Sequence, residues 1–290
     1  MNPLALIVHG GAWDVSSELE EQCRQGIERA ADRGWSVLKT GGTAIDACEQ
    51  AIVELEEETV FDAGIGSHLN RDGKAQLDAI IMDGRTLKSG AVACVEHIRN
   101  PIQLARFVLD KSDHMLLTGY GAEQFASELG LSLCDSSIFS IPAEIQRWSQ
   151  RSSEARLGTV GAVALDQSGN LAAGTSTGGT FFKHPGRIGD SPLVGCGCYA
   201  DNEAAAVSAT GHGESVMKIV MSKLANDLVS AGHSPQEAAD GAVAILRRRT
   251  TGRGGLIVLD RQGRVGAAFS TNNLVRAYRT LHDTSAVVAV

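Results

Sequence analysis

Four short stretches carry side chains suited to acyl transfer: Gly158-Thr159-Val160-Gly161, Thr175-Ser176-Thr177-Gly178-Gly179, Arg187-Ile188-Gly189-Asp190-Ser191-Pro192 and Ala209-Thr210-Gly211-His212-Gly213. Each is small, polar and glycine-rich beside a predicted element end, where groups that do chemistry are usually held. A threonine hydroxyl is a weak nucleophile at neutral pH and needs an adjacent base. A threonine that becomes N-terminal supplies that base from its own α-amine, whose ordinary pKa of about 7.7–8.0 leaves an appreciable free-base fraction at pH 7. The amide nitrogen of an uncut chain cannot do this. With Thr159 as nucleophile, cutting the Gly158–Thr159 bond is therefore a condition for turnover.

Taken singly, each residue has a plainer reading. Thr159 is a β-former entering a strand, Thr177 before Gly-Gly is a turn residue, and Arg187 and Asp190 are solvated surface charges. Held in one pocket, Arg187 can grip an α-carboxylate with two parallel hydrogen bonds, and Asp190 can accept from an α-ammonium. That pair suits an amino-acid substrate. Thr210-Gly211-His212-Gly213 closes a predicted strand over 204–209 and opens a predicted helix, whose free amides can hold a phosphate or a developing oxyanion. A nucleotide site would add Gly-x-x-x-x-Gly-Lys-Ser/Thr or Gly-x-Gly-x-x-Gly after a strand, and the sequence has neither.

With these residues in view, the chain resembles, nearly end to end, the plant-type L-asparaginase/isoaspartyl peptidase family of N-terminal-nucleophile threonine hydrolases. The resemblance implies a precursor that cuts itself between Gly158 and Thr159. One domain, 1–290, would then yield an α subunit 1–158 and a β subunit 159–290 in an (αβ)2 assembly. It implies an α+β fold, a four-layer αββα sandwich, where pattern alone supports only mixed α and β with helices covering sheets. Thr159 becomes the nucleophile and Thr177 the hydroxyl that orients it. The Thr210 hydroxyl and Gly211 N–H form the oxyanion hole. Arg187 and Asp190 fix the substrate's α-groups, and Gly211 and Gly213 line its pocket through their backbones. The loop His9-Gly10-Gly11 lies near the site and constrains the precursor, with no catalytic role for His9, and His212 is structural.

The substrate implied is L-asparagine or an isoaspartyl dipeptide, hydrolysed without an organic cofactor or catalytic metal. The acidic stretch 55–67 reads by itself as a solvated helix end with no ligand pattern. In the family, the carbonyls of the matching loop hold a structural sodium ion, which here implies Leu55, Glu56, Glu58, Phe61, Ala63 and Ile65. Two features depart from the family pattern. Asp62 stands where Asn is usual near the nucleophile, replacing an amide donor with an acceptor that is negative when ionised. Such a carboxylate would raise the pKa of the α-amine and shift activity to higher pH. Ser270-Thr271-Asn272-Asn273-Leu274 replaces a Thr-Glu-Gly-Met-like run on the leaving-group side. Glycosylasparaginase shares the nucleophile and clamp, but its cut usually reads Asp-Thr. An unprocessed amino-acid-binding protein with a dead site is the reading from outside the enzyme class.

These residues need elements to carry them. Leu4–Val8 is an apolar run ending in a glycine loop, read as a buried strand. Ser17-x-x-Glu20 has capping-box form and starts a helix with Cys23, Ile27, Ala31, Trp35 and Leu38 on one face, ended by Gly41-Gly42. Thr43 caps a second helix through Ile45, Cys48, Ile52 and Leu55. Residues 74–82 and 89–95 read as strands around an Asp83-Gly84 turn, Asn100-Pro101 opens a helix, and another lies near 122–129. Residues 135–157 form a Ser-rich connector with a helix from Pro142, expected as an exposed, mobile tail leading to the cut. Hairpins follow at 160–176 and 257–269. Between them a helix after Gly213 turns Val216, Ile219, Val220 and Leu224 inward, and Ser234-Pro235-Gln236-Glu237 caps another. The last strand runs over 286–290.

At 290 residues the chain is long enough for a large core. Its 33 glycines suit many tight loops. A net charge of -8 argues against nucleic acid as the main partner. The six cysteines are scattered among apolar or mixed stretches, unlike a secreted disulfide framework. Cys196-Gly197-Cys198 has no second Cys/His pair to complete a metal site. Met1-Asn2-Pro3-Leu4 shows no signal pattern, and no 18-residue apolar run is available to span a membrane. The expectation is a cytoplasmic enzyme acting on a small molecule.

Overall fold

Strand β1, Ala5–His9, is buried along its whole length, and alternate side chains feed different cores. Leu6 and Val8 join a core shared with helices, whereas Ala5 and Ile7 join one shared with other strands. A strand buried on both faces needs cover on both, and the remaining elements provide it. The computed structural model describes residues 3–151 and 158–290. Met1, Asn2 and residues 152–157, with Ser152, Ser153 and Leu157 of the connector, lie outside the described residues.

Helix α1, Ser17–Lys39, and helix α2, Ala44–Glu56, follow β1. The expected cap of α1 is corrected: Ser16 is the N-cap and makes no side-chain capping bond, so Ser17 and Glu20 lie inside the helix. Thr43 caps α2 as expected and forms a capping box with Asp46. Strands β2, Leu77–Asp83, and β3, Ser89–Val95, pair antiparallel. Helix α3 is Pro101–Lys111, β4 is Leu116–Thr118, α4 is Gly119–Glu128, and α5 is Pro142–Gln150.

The expectation of an exposed tail over 135–157 is corrected where the chain is described. Phe139 is fully buried in a short 3-10 turn, and Glu144 of α5 is 3% exposed. Residues 135–151 are anchored through these two side chains, while most of the others in that span are exposed as expected.

Strands β5, Val160–Leu165, and β6, Leu171–Thr177, form the expected hairpin. Asp166 Oδ1 accepts the Ser168 and Asn170 amides in its turn. Then come β7, Cys198–Ala200, and β8, Ala205–Gly211. The single helix expected after Gly213 is two: α6, Gly213–Ile219, and α7, Met221–Ser230, broken at Val220 with φ of 50°. Val220 is therefore exposed, and Met221 and Ala225 take the buried positions. Helix α8 is Pro235–Arg249, with the expected Ser234 capping box. The chain ends with β9, Gly254–Asp260, β10, Val265–Phe269, β11, Arg276–Thr280, and β12, Val287–Ala289.

The strands form two sheets, β12-β11-β1-β5-β6-β2-β3-β4 and β10-β9-β8-β7. All pairings are antiparallel except β3 with β4. Period-two alternation sorts the side chains. Val160, Ala162 and Ala164 of β5 face a core with α1 and α2, and Val163 and Leu165 face the other sheet. In the smaller sheet Ile257 and Leu259 meet the larger sheet, and Leu256 and Val258 meet residues of α7 and α8. No helix among the described residues is long and apolar enough to cross a membrane.

Candidate active site

Register brings the first two threonines together. Val160 of β5 pairs with Ser176 of β6, so the next pair outward sets Thr159 against Thr177. Alternation then decides which way they face. Thr159 shares the parity of Val163 and Leu165, and Thr177 that of Ala173, which puts both between the sheets. Ser176, of the opposite parity, turns toward α2 and donates to Glu56 Oε1 at 2.6 Å. From the second sheet, Thr210 has the parity of Ala206, whose side chain lies in the same inter-sheet core. Thr159 and Thr177 thus meet between the sheets, and Thr210 faces the same layer from β8 without being among the residues that line the cavity there.

The Thr177 hydroxyl is the hub. It accepts from the Gly179 N–H at 2.9 Å and from the Thr159 hydroxyl at 3.3 Å, and donates to the Gly158 carbonyl at 2.9 Å. The Thr159 hydroxyl and the carbonyl that precedes it in the chain are therefore held by the same group. Thr210 Oγ1 is buried and has no hydrogen-bond partner among the described residues. Gly211, at the end of β8 opposite Gly254, has φ of 141°, and a Cβ there would meet the Gly254 backbone at 2.4 Å.

Gly158, Thr159, Thr177, Arg187, Asp190 and Gly211 line one cavity, of about 10 Å³. Arg187 and Asp190 both approach Gly213 closely: a Cβ on it would lie 2.7 Å from Arg187 Nη2 and 2.8 Å from Asp190 Oδ1. Burial pushes the Asp190 carboxyl up to about 7, while its own backbone N–H and Arg187 pull it down. Its Oδ2 is buried without a hydrogen-bond partner among the described residues. Arg187 is not idle. Its Nε and Nη2 make a two-pronged pair with Glu214 at 3.0 and 2.9 Å, and this bond holds the Glu214 carboxyl below its ordinary range. Sequence reasoning missed Glu214. Its signal was its place in the first turn of α6, directly after Gly213.

His9 lies in a polar belt under the threonines. Its Nε2 is 2.8 Å from Ser208 Oγ, which is 3.1 Å from Thr175 Oγ1. Burial lowers its pKa to about 3, against a raising contribution from the Thr159 backbone, so the ring is neutral. Gly10 packs on the Phe61 ring, where a Cβ would come within 2.4 Å, and donates its N–H to the Val275 carbonyl, while the carbonyl of Gly11, φ 103°, accepts the Val275 amide. Neither glycine lines the cavity. His212 bonds Ser215. Leu274 is fully buried between the sheets, and Asn273 accepts the Val15 amide. The 270–274 run therefore brings neither of these side chains to the cavity lining.

Asp62 lies against the bond in question. A Cβ on Gly158 would sit 2.2 Å from Asp62 Cβ, and the Asp62 carbonyl accepts the Gly178 amide. Asp62 Oδ1 accepts the His68 amide at 2.8 Å. Burial raises the carboxyl to about 6, and His68 opposes the shift. The winding around Asp62 gathers carbonyls. Those of Glu58, Phe61 and Ala63 each accept an amide hydrogen bond in successive turns, whereas that of Leu55 accepts both the Glu57 and the Glu58 amides. A Cβ on Gly66 would meet the Phe61 carbonyl at 2.1 Å and that of Glu58 at 3.0 Å, and one on Gly64 would meet the Glu56 carbonyl at 2.2 Å. The Glu58 carboxylate meanwhile pairs with Arg29. Carbonyl oxygens without carboxylates suit a monovalent cation.

The sequence profile of the family described as asparaginase matches residues 1–289. The chain belongs to the asparaginase family. It is similar to the isoaspartyl peptidase/L-asparaginase of Xenopus laevis, 45% identical over 282 residues covering 94% of this chain and 91% of the relative. The protein of the same name from Homo sapiens is 44% identical over 272 residues, 91% and 88% of the two chains. An isoaspartyl peptidase of Salmonella typhimurium is 39% identical over 305 residues, 98% and 97%. Membership covers both the segment before Thr159 and the one after it, so an asparaginase-family hydrolase accounts for the whole chain.

Proposed function

We propose that this asparaginase-family chain hydrolyses the side-chain amide of L-asparagine and the β-aspartyl bond of isoaspartyl dipeptides, using Thr159 as a self-released N-terminal nucleophile. The observation that carries the reading is the Thr177 hydroxyl, which joins Thr159 Oγ1 to the Gly158 carbonyl. In self-cleavage, Thr159 Oγ attacks the Gly158 carbonyl carbon and the C–N bond breaks. The hydroxyl proton ends on the departing Thr159 nitrogen, and water hydrolyses the ester to a Gly158 carboxylate and a free N-terminal threonine. Two chains, 1–158 and 159–290, remain within one domain.

In turnover, Arg187 and Asp190 hold the substrate's α-carboxylate and α-ammonium, and Gly211 and Gly213 let it lie close to the backbone. The Thr159 amine takes the proton from its own Oγ as the side-chain carbonyl is attacked. The Thr210 hydroxyl and Gly211 N–H stabilise the oxyanion, ammonia or an amino acid leaves, and water releases aspartate. A buried hydroxyl without a partner is what an oxyanion donor needs before substrate arrives.

The packing of α1, α2 and α3 on the larger sheet and of α7 and α8 on the smaller supports a four-layer αββα sandwich. A sodium ion on the carbonyls of Leu55, Glu56, Glu58, Phe61, Ala63 and Ile65 would supply no catalytic chemistry and would stiffen the loop that carries Asp62. The family reading extends to an (αβ)2 assembly, which light scattering checks. A denaturing intact-mass spectrum of purified protein, followed over days, tests the core of the reading. Two fragments are expected, the smaller beginning Thr159-Val160-Gly161, with ammonia released from L-asparagine only after they appear. Persistence of one 30.4 kDa species that nevertheless hydrolyses asparagine would overturn it.

A further inference from the structure

A buried chain of four ionisable groups runs from the candidate cut to the helix before it. Asp62 and His68 lie on the loop after α2, and Glu144 and Arg147 lie one helical turn apart on α5. His68 Nδ1 is 2.9 Å from Glu144 Oε2, and Arg147 Nη1 is 3.1 Å from Glu144 Oε1. At the other end His68 Nε2 faces Asp62 Oδ2 at 3.9 Å. Both of those atoms are buried without a hydrogen-bond partner among the described residues, and the two side chains are 1% and 2% exposed. The Trp148 indole donates to the Asn70 carbonyl at 2.9 Å, which fastens α5 to the same loop a second time.

A carboxylate this buried is costly unless an opposite charge sits beside it. Lys183 is the other nearby cation, but its ammonium is bonded to the Gln76 carbonyl. Burial works against charge on His68, and the two carboxylates flanking it outweigh burial and raise its pKa. With Arg147 balancing Glu144, the group as a whole is neutral. Asp62 is held against Gly158 by this arrangement, and half of it is supplied by the helix leading to the cut.

We infer that His68 is a positioning residue for self-cleavage: clamped by Glu144 of α5, it is the counter-charge that holds Asp62 in place against the Gly158–Thr159 bond. The inference rests on the self-cleavage reading above. Docking of α5 and assembly of the site are then one event, because an undocked α5 leaves His68 Nδ1 without the Glu144 carboxylate that clamps it.

The test is the rate of appearance of the fragment beginning at Thr159, by intact mass, in wild type, His68→Val, Asp62→Asn and the double variant. Thermal unfolding of each serves as the control for folding. His68→Val is expected to slow cleavage at least about tenfold, since it leaves a buried charge uncompensated. Removing the charge as well should rescue it, so Asp62→Asn/His68→Val should cleave at least about fivefold faster than His68→Val. A double variant as slow as His68→Val overturns the inference and makes His68 a packing residue, and so does His68→Val cleaving at the wild-type rate. If His68→Val fails to fold, the comparison is Asp62→Asn against the double variant. Equal rates support the inference, because without a carboxylate there is no charge to balance; a further tenfold loss, on the order expected for lost packing, overturns it. Failure of the underlying reading shows separately, as a wild-type chain that never divides.

Discussion

Replacing Thr177 by valine tests the hub of the site with almost no change of shape. The substitution removes a hydroxyl that accepts the Gly179 N–H and the Thr159 O–H and donates to the Gly158 carbonyl. Thr177 is 3% exposed, so water does not replace it. A buried polar group left unpaired costs about 1–3 kcal/mol, and here the Gly179 N–H and the Gly158 C=O both lose their partner. The uncut chain is therefore expected to lose about 2–4 kcal/mol, seen as a Tm several degrees lower. The kinetic effect should be larger. The Thr177 donor sits on the oxygen that becomes the oxyanion when Thr159 attacks, and losing one such donor lowers a rate by about 10²–10³. Intact mass against time at constant temperature reads the self-cleavage rate directly. Thr177→Ser keeps the hydroxyl and should retain most of that rate. A Thr177→Val chain that divides within about twofold of wild type would refute the role given to the hydroxyl, whatever its Tm.

Two further outcomes follow from the clamp. Gly213→Ala drives a methyl into Arg187 and Asp190, so KM for L-asparagine should rise at least about tenfold, on the scale of a disturbed charge-assisted pair, with self-cleavage unchanged; unchanged KM sinks the assignment. Asp190 has a carboxyl raised from 3.8 to about 7, so its contribution to stability is complete below pH 3.8 and is lost as pH rises through 7. Asp190→Asn should flatten the pH dependence of urea unfolding in that window by up to about 1.4 kcal/mol per unit. An identical slope in both proteins counts against a buried, protonated Asp190.

What the sequence made legible was local. Thr43, Ser234 and Pro101 announce helix starts through chemistry within three residues, and the hairpin 160–176 follows from alternation around Asp166-Gln167-Ser168-Gly169. Strand β11 was missed because Arg276-Ala-Tyr-Arg-Thr is amphiphilic and half-buried, so its strand character depends on β1 beside it. The break at Val220 was invisible for a similar reason: apolar spacing ran straight through it. At the site, the residue types taken singly read as strand, turn and surface positions, and the family resemblance singled out the threonines with Arg187 and Asp190; sheet register shows why Thr159 and Thr177 meet. The partners that tune them were out of reach. Glu144 meets His68 across 76 positions, and Ser208 meets His9 across 199.

The uncut cavity has a consequence for when the enzyme can bind. The cavity bounded by Gly158, Thr159, Arg187 and Asp190 is about 10 Å³, on the scale of a single water molecule. Gly158 is itself one of the walls, and Asp62 and Thr177 hold it there. Breaking the bond after Gly158 therefore frees the nucleophile's amine and releases a wall of its pocket in the same step, while α5 keeps the upstream chain attached through Glu144 and Trp148. Binding should then be a property of the cut protein alone. Thr159→Val preserves the volume and blocks cleavage, so calorimetric titration of that variant with L-aspartate should give no binding heat, whereas the matured wild type binds. Saturable binding to the uncut variant would mean that Arg187 and Asp190 are accessible without cleavage, and that the self-cut prepares the nucleophile but not the pocket.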